Sequence, residues 1–228
     1  MKLYLVGGSV RDLILGVKSN DIDYAVEIDS FDNMHHELIN RGYEIFMEKI
    51  DFLTIRARKN HKVCDFTICR SDGYYSNNRH PDDVKISDIY TDLSRRDFTV
   101  NAIAIDEDGN YIDPYNGIDD CKNKTLRCVG LAYDRLKEDA LRILRALRFN
   151  ITKGFKFDEE LDNALYNDDL YPLLLGISVD RKREELYKML SHNTILTLEL
   201  LMKYPDNLRK AIFSEGLWLK PTTEKTGK

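Results

Sequence analysis

The sequence lacks the features that mark secreted, membrane-spanning or thiolate-metal proteins. Its four cysteines form no C-x-x-C pair, so reduced, buried thiols are the simplest account of them. No apolar run approaches the ~20 residues that span a bilayer. The chain begins with the pattern of a strand rather than with a basic and then apolar leader. We therefore expect a cytoplasmic protein with no membrane partner.

A surplus of basic charge is also missing. The 228 residues carry a net charge of −5, so any grip on RNA must come from local basic stripes and not from an overall positive field. A hydrophobic content of 43% excludes a disordered chain. The length fits one large domain or two small ones, and no repeat or low-complexity tract divides the chain.

One early stretch combines features that suit a triphosphate. Leu3–Val6 has the pattern of a buried strand and leads into a Gly7–Gly8 turn, after which Ser9 is expected to open a helix. Glycines let the backbone approach phosphate oxygens without a Cβ in the way. The first N–H groups of a helix are unpaired donors at the positive end of its dipole. The stretch contains neither a Walker A loop nor a G-x-G-x-x-G motif.

Two acidic residues follow in the next predicted strand. Asp21 and Asp23 are two apart, so both carboxylates point the same way while Ile22 faces the core. Mg²⁺ takes one or two carboxylates together with substrate phosphates, so we predict a magnesium site at this pair. An isolated Asp-x-Asp is usually a solvated edge, and the neighbouring glycine turn is what favours metal. Asp65, in the strand-like run Lys62–Cys69, is either a satisfied edge residue or a third carboxylate.

Helix signals continue along the chain. Ser30 predicts the start of a helix that runs to about Asn40 and is closed by Gly42. Arg95-Arg96-Asp97 is expected to open another helix with Asp97 as its N-cap. Two arginines at a helix start oppose the dipole, which indicates an external anion beside them. Further helices are predicted over Asp158–Tyr166, Ser178–Ser191 and Thr194–Lys203.

The stretch Glu138–Phe149 has the periodicity of a single helix with an apolar leucine face. Arg142, Arg145 and Arg148 recur every three residues on another face. Asp139 lies three residues before Arg142, so the two side chains would be neighbours on the helix surface. A surface salt bridge of ~0–1 kcal/mol is the alternative explanation of this pair.

Four strings together resemble a known family. GGSVRD followed by DID, then RRDFTVNA, DPYNGIDD and EDALRILRALRF, resemble the tRNA nucleotidyltransferase (CCA-adding) and bacterial poly(A) polymerase family, the class II branch of the polymerase-β-like superfamily. The resemblance implies an α+β fold with a mixed sheet and flanking helices. It further implies a nucleotidyltransferase head over residues 1–130 and an all-helical neck with a shortened body over residues 131–228.

The resemblance also implies an activity and its residues. The activity is template-independent addition of C and A to the 3′ end of tRNA, from CTP and ATP, by a two-metal mechanism with Mg²⁺. The catalytic residues would be Asp21, Asp23 and Asp65, of which Asp21 and Asp23 hold metal. The implied nucleotide-binding residues are Gly7, Gly8, Arg11, Arg96, Asp97, Asn101, Glu138, Asp139, Arg142, Arg145 and Arg148.

Within that set, the Asp139–Arg142 pair would read the incoming base. A carboxylate that accepts from an amino group, beside a guanidinium that donates to a ring nitrogen, fits cytosine and adenine. Uracil and guanine would leave polar groups unpaired, at ~1–3 kcal/mol each. Glu138 would orient Arg142, while Arg145 and Arg148 would serve phosphate or RNA backbone.

Other functions stay open. A bacterial poly(A) polymerase shares nearly all of these motifs, although the N-terminal strand and the absence of a basic tail favour CCA addition. A partial enzyme, A-only or CC-only, is a further alternative, and the polar loop Ser71–Asp83 argues against a C-only enzyme. A non-catalytic RNA-binding protein would have no reason to keep its paired acids. Because the sequence ends soon after the predicted neck, tRNA recognition and the oligomeric state stay open.

Overall fold

The computed structural model describes residues 1–18, 22–73 and 84–214. These residues form the predicted α+β fold. The strands are β1 (Lys2–Val6), β2 (Ile22–Glu27), β3 (Glu44–Lys49), β4 (Thr54–Lys59), β5 (Lys62–Ile68), β6 (Arg70–Asp72), β7 (Val84–Ile86), β8 (Ala104–Ile105), β9 (Tyr111–Ile112), β10 (Thr125–Leu126) and β11 (Lys156–Phe157). The α-helices are α1 (Gly8–Ile14), α2 (Phe31–Asn40), α3 (Ile89–Ser94), α4 (Gly117–Asn123), α5 (Ala132–Glu138), α6 (Leu141–Lys153), α7 (Glu159–Leu165), α8 (Val179–His192), α9 (Thr194–Lys203) and α10 (Asp206–Ile212).

The main sheet is mixed and has the strand order β3-β4-β5-β2-β1-β8-β9 among the described residues. Its β2 and β5 strands pair in parallel, and the other neighbours are antiparallel. The parallel register sets Asp23 opposite Asp65. Both side chains therefore lie on the same face of the sheet, since register partners in a pleated sheet share a face.

One face of the sheet is covered by α2. Ser30 caps this helix, because its Oγ accepts a hydrogen bond from the Asn33 backbone N–H at 3.1 Å. Gly42 takes a left-handed φ of 80° just after the helix. Met34 and Leu38 are four residues apart and both fully buried against the sheet. The predicted bounds of α2 are thus confirmed.

A second core joins the sheet to the C-terminal helices. It contains Val10 of α1 and Phe98, together with Leu144 of α6 and Leu186 of α8. Residues from both sides of position 130 share this core, and the division into two domains at that position stays a prediction. In the described parts of the chain, every helix is too short or too polar to cross a bilayer.

The helix predicted to open at Arg95, Arg96 and Asp97 is present only as a short 3₁₀ helix, Thr99–Asn101. Its N-cap is Phe98 with no side-chain cap, so the prediction of Asp97 as N-cap is wrong. Helix α3 begins after Asp88, whose Oδ1 accepts from the Thr91 backbone N–H at 2.7 Å, and it ends at Ser94. The two arginines therefore follow the C-terminal end of a helix, where the dipole favours cations. The electrostatic argument for an external anion at a helix start does not hold.

The single helix predicted over Glu138–Phe149 is also wrong. Helix α5 ends at Glu138, Asp139 is extended with φ −139° and ψ 103°, and α6 starts at Leu141. The Asp139 Oδ1 accepts from the Leu141 backbone N–H at 3.0 Å. A side-chain oxygen that satisfies the first N–H groups of the next helix competes with continuation of the first one. Asp139 and Arg142 are therefore not neighbours on one helix surface.

Smaller differences concern the start of one helix, one helix that was not predicted and one loop. Ser9 lies inside α1, which begins at Gly8 after an N-cap at Gly7. Helix α10 was not predicted, while α9 has the predicted bounds. Most of the loop predicted over Ser71–Asp83 lies outside the described residues.

Candidate functional site

One cavity, of about 520 Å³, brings together most of the predicted site residues. We call it the central cavity. It lies between the β1–α1 turn, strand β2, the end of α3, and helices α6 and α8. The predicted site residues that line it are Gly7, Gly8, Arg11, Asp23, Arg96, Asp97, Asn101, Asp139, Arg142, Arg145 and Arg148. Asp65 and Glu138 are not among the lining residues.

The two glycines of the β1–α1 turn let arginine side chains approach the backbone. A Cβ on Gly7 would lie 3.1 Å from Arg96 Nη1, and a Cβ on Gly8 would lie 3.4 Å from Arg11 Nη2. Gly7 also has a φ of 67°, which disfavours any side chain. Two guanidinium groups therefore lie against the turn, where they could donate to an anion.

A buried network holds Arg11 in place. Its Nε donates to Asp12 Oδ1 at 2.9 Å, and its Nη1 donates to Asn101 Oδ1 at 2.6 Å. The Asn101 Nδ2 in turn donates to Asp97 Oδ1 at 2.9 Å. Asn101 thus links the arginine of the turn to the carboxylate that precedes Phe98.

Asp97 also forms an ion pair with Arg145 of α6. Its Oδ2 accepts two hydrogen bonds from Arg145, at 2.8 Å from Nε and 2.5 Å from Nη2. Burial alone would raise the pKa of Asp97, but the Arg145 guanidinium and the Asn101 amide outweigh it and hold that pKa well below its usual range. The same pair raises the pKa of Arg145. Asp97 is therefore ionised and acts only as an acceptor.

Asp92 positions both arginines that follow α3. It is almost fully buried, and its Oδ1 accepts from Arg95 Nη2 at 2.6 Å while its Oδ2 accepts from Arg96 Nη2 at 2.8 Å. Burial would raise the pKa of Asp92, and the two guanidinium groups lower it below the ordinary value. Asp92 was not among the predicted site residues. Its position three and four residues before the two arginines places it next to both on a helix surface, and this spacing could have identified it.

Glu138 holds Arg142. The Arg142 Nη1 donates to Glu138 Oε2 at 2.7 Å and to the Arg135 carbonyl at 2.8 Å. Its Nη2 donates to the Arg95 carbonyl at 3.2 Å. Asp139 lies at the joint between α5 and α6, and its Oδ1 accepts from the Leu141 backbone N–H. Its Oδ2 accepts no hydrogen bond from the described residues.

Arg148 connects α6 to α8, and its neighbour Phe149 lies beneath three guanidinium groups. The Arg148 Nε donates to Glu185 Oε2 of α8 at 2.5 Å. The guanidinium carbons of Arg148, Arg11 and Arg145 lie 4.7, 5.0 and 6.0 Å from the centroid of the buried Phe149 ring. Phe149 and Glu185 were not among the predicted site residues, because neither contact is visible in a helical period.

Of the three predicted carboxylates, Asp23 alone is a described residue that lines the central cavity. The Asp23 backbone N–H donates to Ser9 Oγ at 3.3 Å. Asp21 lies outside the described residues. The Asp65 carboxylate accepts two hydrogen bonds from Arg56, both at 2.6 Å. Within residues 1–18, 22–73 and 84–214, no group of three or more His, Cys, Asp or Glu side chains is arranged to hold a metal ion.

The charge of the central cavity is positive. Seven arginines and four aspartates are among its lining residues, although the whole chain is acidic. This is the local basic surface that an anionic ligand needs on a protein without an overall positive field. A cavity of this size and polarity suits a nucleotide.

Comparisons with known proteins identify the family to which the chain belongs. The family model described as the poly(A) polymerase head domain matches residues 3–127, more than half of the chain. A CCA-adding enzyme of Enterococcus faecalis is 37% identical over 188 residues, which are 82% of this chain and 45% of that protein. The chain thus spans about half the length of the curated relatives that it matches.

Solved structures agree with this family. The Bacillus stearothermophilus CCA-adding enzyme in complex with CTP has a TM-score of 0.77 and 33% identity, over 90% of this chain and 48% of that one. The Thermotoga maritima CCA-adding enzyme complexed with tRNA(CCA) has a TM-score of 0.74 and 26% identity, over 94% and 48%. The chain therefore belongs to the family defined by the poly(A) polymerase head domain.

Proposed function

We propose that this protein adds C and A to the 3′ end of tRNA from CTP and ATP, without a nucleic-acid template. The observation that carries the proposal is the central cavity, which unites a glycine turn, an acidic strand and an acid–guanidinium group in one space. The relatives named as CCA-adding enzymes, one of them solved with CTP and one with tRNA, support the choice of substrates.

The triphosphate would lie against the β1–α1 turn. Arg11 and Arg96 are already fixed there by Asp12, Asn101 and Asp92. Guanidinium groups donate in pairs to phosphate oxygens, and prior positioning avoids the entropy cost of ordering them at the moment of reaction. The proposal assigns these two arginines to the charge of the pyrophosphate leaving group.

The metal would be held at the acidic strand. Nucleotidyltransferases typically use divalent metal ions, and Asp23 together with Asp21 is proposed to hold Mg²⁺, whose preferred ligands are carboxylate and phosphate oxygens. When bound, Mg²⁺ would neutralise phosphate charge and increase the acidity of the RNA 3′-hydroxyl. Asp65 lies level with Asp23 on β5, and a catalytic role for it requires its carboxylate to leave Arg56.

The bond changes are those of an in-line displacement. The RNA 3′-oxygen forms a bond to the α-phosphorus as the bond from that phosphorus to the α–β bridging oxygen breaks, and pyrophosphate leaves. The hydroxyl proton passes to solvent or to a carboxylate of the site. The protein mainly positions the reactants and neutralises charge, as in other phosphoryl transfers.

The base would be read at the joint of α5 and α6. Arg142 is held by Glu138 at 2.7 Å, and Asp139 Oδ2 accepts no hydrogen bond from the described residues. A carboxylate oxygen can accept from the amino group of cytosine or adenine while the guanidinium donates to the adjacent ring nitrogen. Uracil and guanine present a carbonyl and an N–H instead, which leaves both side chains unpaired. The geometry at Asp139 supports this proposal, since Oδ1 accepts from the Leu141 N–H and Oδ2 is left to accept from a base.

Timed incorporation assays test this function. tRNA substrates that end before the first C, before the second C and before A are each incubated with CTP, ATP, UTP and GTP in turn. We expect two C on the first substrate with CTP, one C on the second with CTP and one A on the third with ATP, and little incorporation of U or G. Repeated addition of A to every substrate would instead identify a poly(A) polymerase, which the name of the matching family model keeps as the second candidate.

A further inference from the structure

Arg181 of α8 lines the central cavity, although it belongs to none of the groups assigned above. Glu185 lies one helical turn later, so both side chains share one face of α8. Glu185 accepts from Arg148 of α6, which shows that this face is turned towards α6. Arg181 therefore enters the cavity from the side of α8.

The other arginines that line the central cavity each have a carboxylate partner. The pairs are Arg11 with Asp12, Arg95 and Arg96 with Asp92, Arg142 with Glu138, Arg145 with Asp97, and Arg148 with Glu185. Among the described residues Arg181 has no ion pair, and its Nη1 is buried without a hydrogen-bond partner. A buried charged donor that lacks an acceptor is costly. An anionic ligand in the cavity would supply that acceptor after a small movement of the side chain.

The neighbours of Arg181 indicate which anion it would meet. Arg11 lies beside Gly8 of the β1–α1 turn, and the guanidinium groups of Arg11 and Arg148 lie over the same Phe149 ring, at 5.0 and 4.7 Å from its centroid. The Arg148 guanidinium is tied to α8 through Glu185. Arg181 lines the same cavity from α8, one helical turn before Glu185. Successive guanidinium groups that begin at a phosphate cradle suit a chain of phosphates.

We propose that Arg181 binds the phosphate tail of the incoming nucleotide, and the pyrophosphate product, from the α8 side of the central cavity. This inference rests on the proposed nucleotidyl transfer and adds a binding residue to it. Because every nucleoside triphosphate has the same tail, the contribution of Arg181 is the same for CTP and ATP. It does not depend on the RNA substrate.

The test compares Arg181→Gln, Arg181→Lys and Lys188→Gln with the wild-type protein. Lys188 is a matched control because it lies on the same helix, is exposed and pairs with Glu184. Binding of magnesium pyrophosphate is measured by calorimetry without RNA, and KM is measured for CTP, ATP and tRNA. Thermal unfolding of each variant verifies that it is folded.

For Arg181→Gln we expect pyrophosphate binding to weaken by about tenfold and KM for both nucleotides to rise by a similar factor, as for the loss of one charged hydrogen bond. KM for tRNA stays unchanged, Arg181→Lys recovers part of the loss, and Lys188→Gln behaves as wild type. Weaker tRNA binding with unchanged pyrophosphate binding would overturn the assignment in favour of the RNA backbone. Wild-type values for Arg181→Gln throughout would also overturn it. A wild-type protein that neither binds nor incorporates nucleotides would instead refute the proposed function itself.

Discussion

Arg145 of α6 donates two hydrogen bonds to Asp97 Oδ2, at 2.8 and 2.5 Å, across 48 residues of sequence. The other oxygen of Asp97 accepts from Asn101, which in turn accepts from Arg11. One carboxylate thus connects the arginine at the β1–α1 turn to the helix that carries Arg142. This contact therefore connects the proposed phosphate cradle to the helix that carries the proposed base-reading residue Arg142.

Breaking this pair should destabilise the fold. In Arg145→Met the buried Asp97 charge loses its main partner, and removal of one member of a buried pair typically costs ~3–5 kcal/mol. Urea unfolding measures the free energy of unfolding of the variant and the wild type. Arg58→Met is the matched control, because Arg58 forms an exposed pair with Glu44 and its loss should cost less than ~1 kcal/mol. Equal losses in the two variants would contradict the importance of the Asp97 contact.

The buried carboxylates of Asp92 and Asp97 should make the stability of the fold depend on pH. The folded pKa values of Asp92 and Asp97 are lowered below the ordinary 3.8, so the unfolded chain binds more protons than the folded one in that range. Stability from these groups is complete above the unfolded pKa and is lost as the pH falls through the folded values. Free energies of unfolding measured between about pH 2 and pH 6 should fall more steeply towards acid in the wild type than in Asp97→Asn. Parallel curves would contradict the lowered pKa of Asp97.

Gly117, in the DPYNGIDD string, should not tolerate a side chain. A Cβ there would lie 2.1 Å from the Thr99 carbonyl oxygen and 2.8 Å from Ile103 Cγ1. Gly117→Ala is therefore expected to lower the free energy of unfolding by about 3 kcal/mol or more, as overpacking that moves backbone does. Gly176→Ala is the control, since nothing lies within 4 Å of its Cβ position. A stable Gly117→Ala protein would refute the close approach of α4 to Thr99.

The acidic strand provides a direct test of catalysis. Asp23→Asn should lower nucleotide incorporation by more than about 100-fold, because even indirect supports of a metal ligand cost 10–100-fold when lost. Incorporation is measured under single-turnover conditions over a range of Mg²⁺ concentrations. Unchanged incorporation by this variant would refute the assignment of Asp23.

Asp65→Asn is the companion variant. A loss comparable with that of Asp23→Asn would support a catalytic role for Asp65. If incorporation falls by less than about tenfold, the role of Asp65 is limited to its ion pair with Arg56. An exposed ion pair of this kind contributes little to stability.

Local signals in the sequence were sufficient where neighbours along the chain decide the structure. Ser30 caps α2 with its own side chain, and the left-handed conformation of Gly42 follows that helix. The same holds for the alternation that turns Asp23 and Ile22 to opposite faces of β2. These features depend on residues within one or two turns, which a pattern can represent.

The errors have two origins. The break at Asp139 depends on a local hydrogen bond to the Leu141 N–H that the helical period does not represent. The rest depend on contacts between residues far apart in sequence. Asp97 was expected to cap a helix, but its carboxylate is bound by Arg145, which lies far along the chain. The ion pair between Arg148 and Glu185 depends on how α6 packs against α8. Neither the periodicity of α6 nor the charge pattern of α8 predicts how the two helices pack against each other.

The measurement that tests the account most directly is the kcat/KM of single-nucleotide incorporation for CTP, ATP, UTP and GTP, in the wild type and in Arg142→Gln. We expect the wild type to prefer CTP and ATP, and the variant to lose ~1–3 kcal/mol of this preference while its magnesium pyrophosphate binding is unchanged. The opposite result would contradict this expectation: an Arg142→Gln protein that selects CTP and ATP as strictly as the wild type would show that the base is read elsewhere.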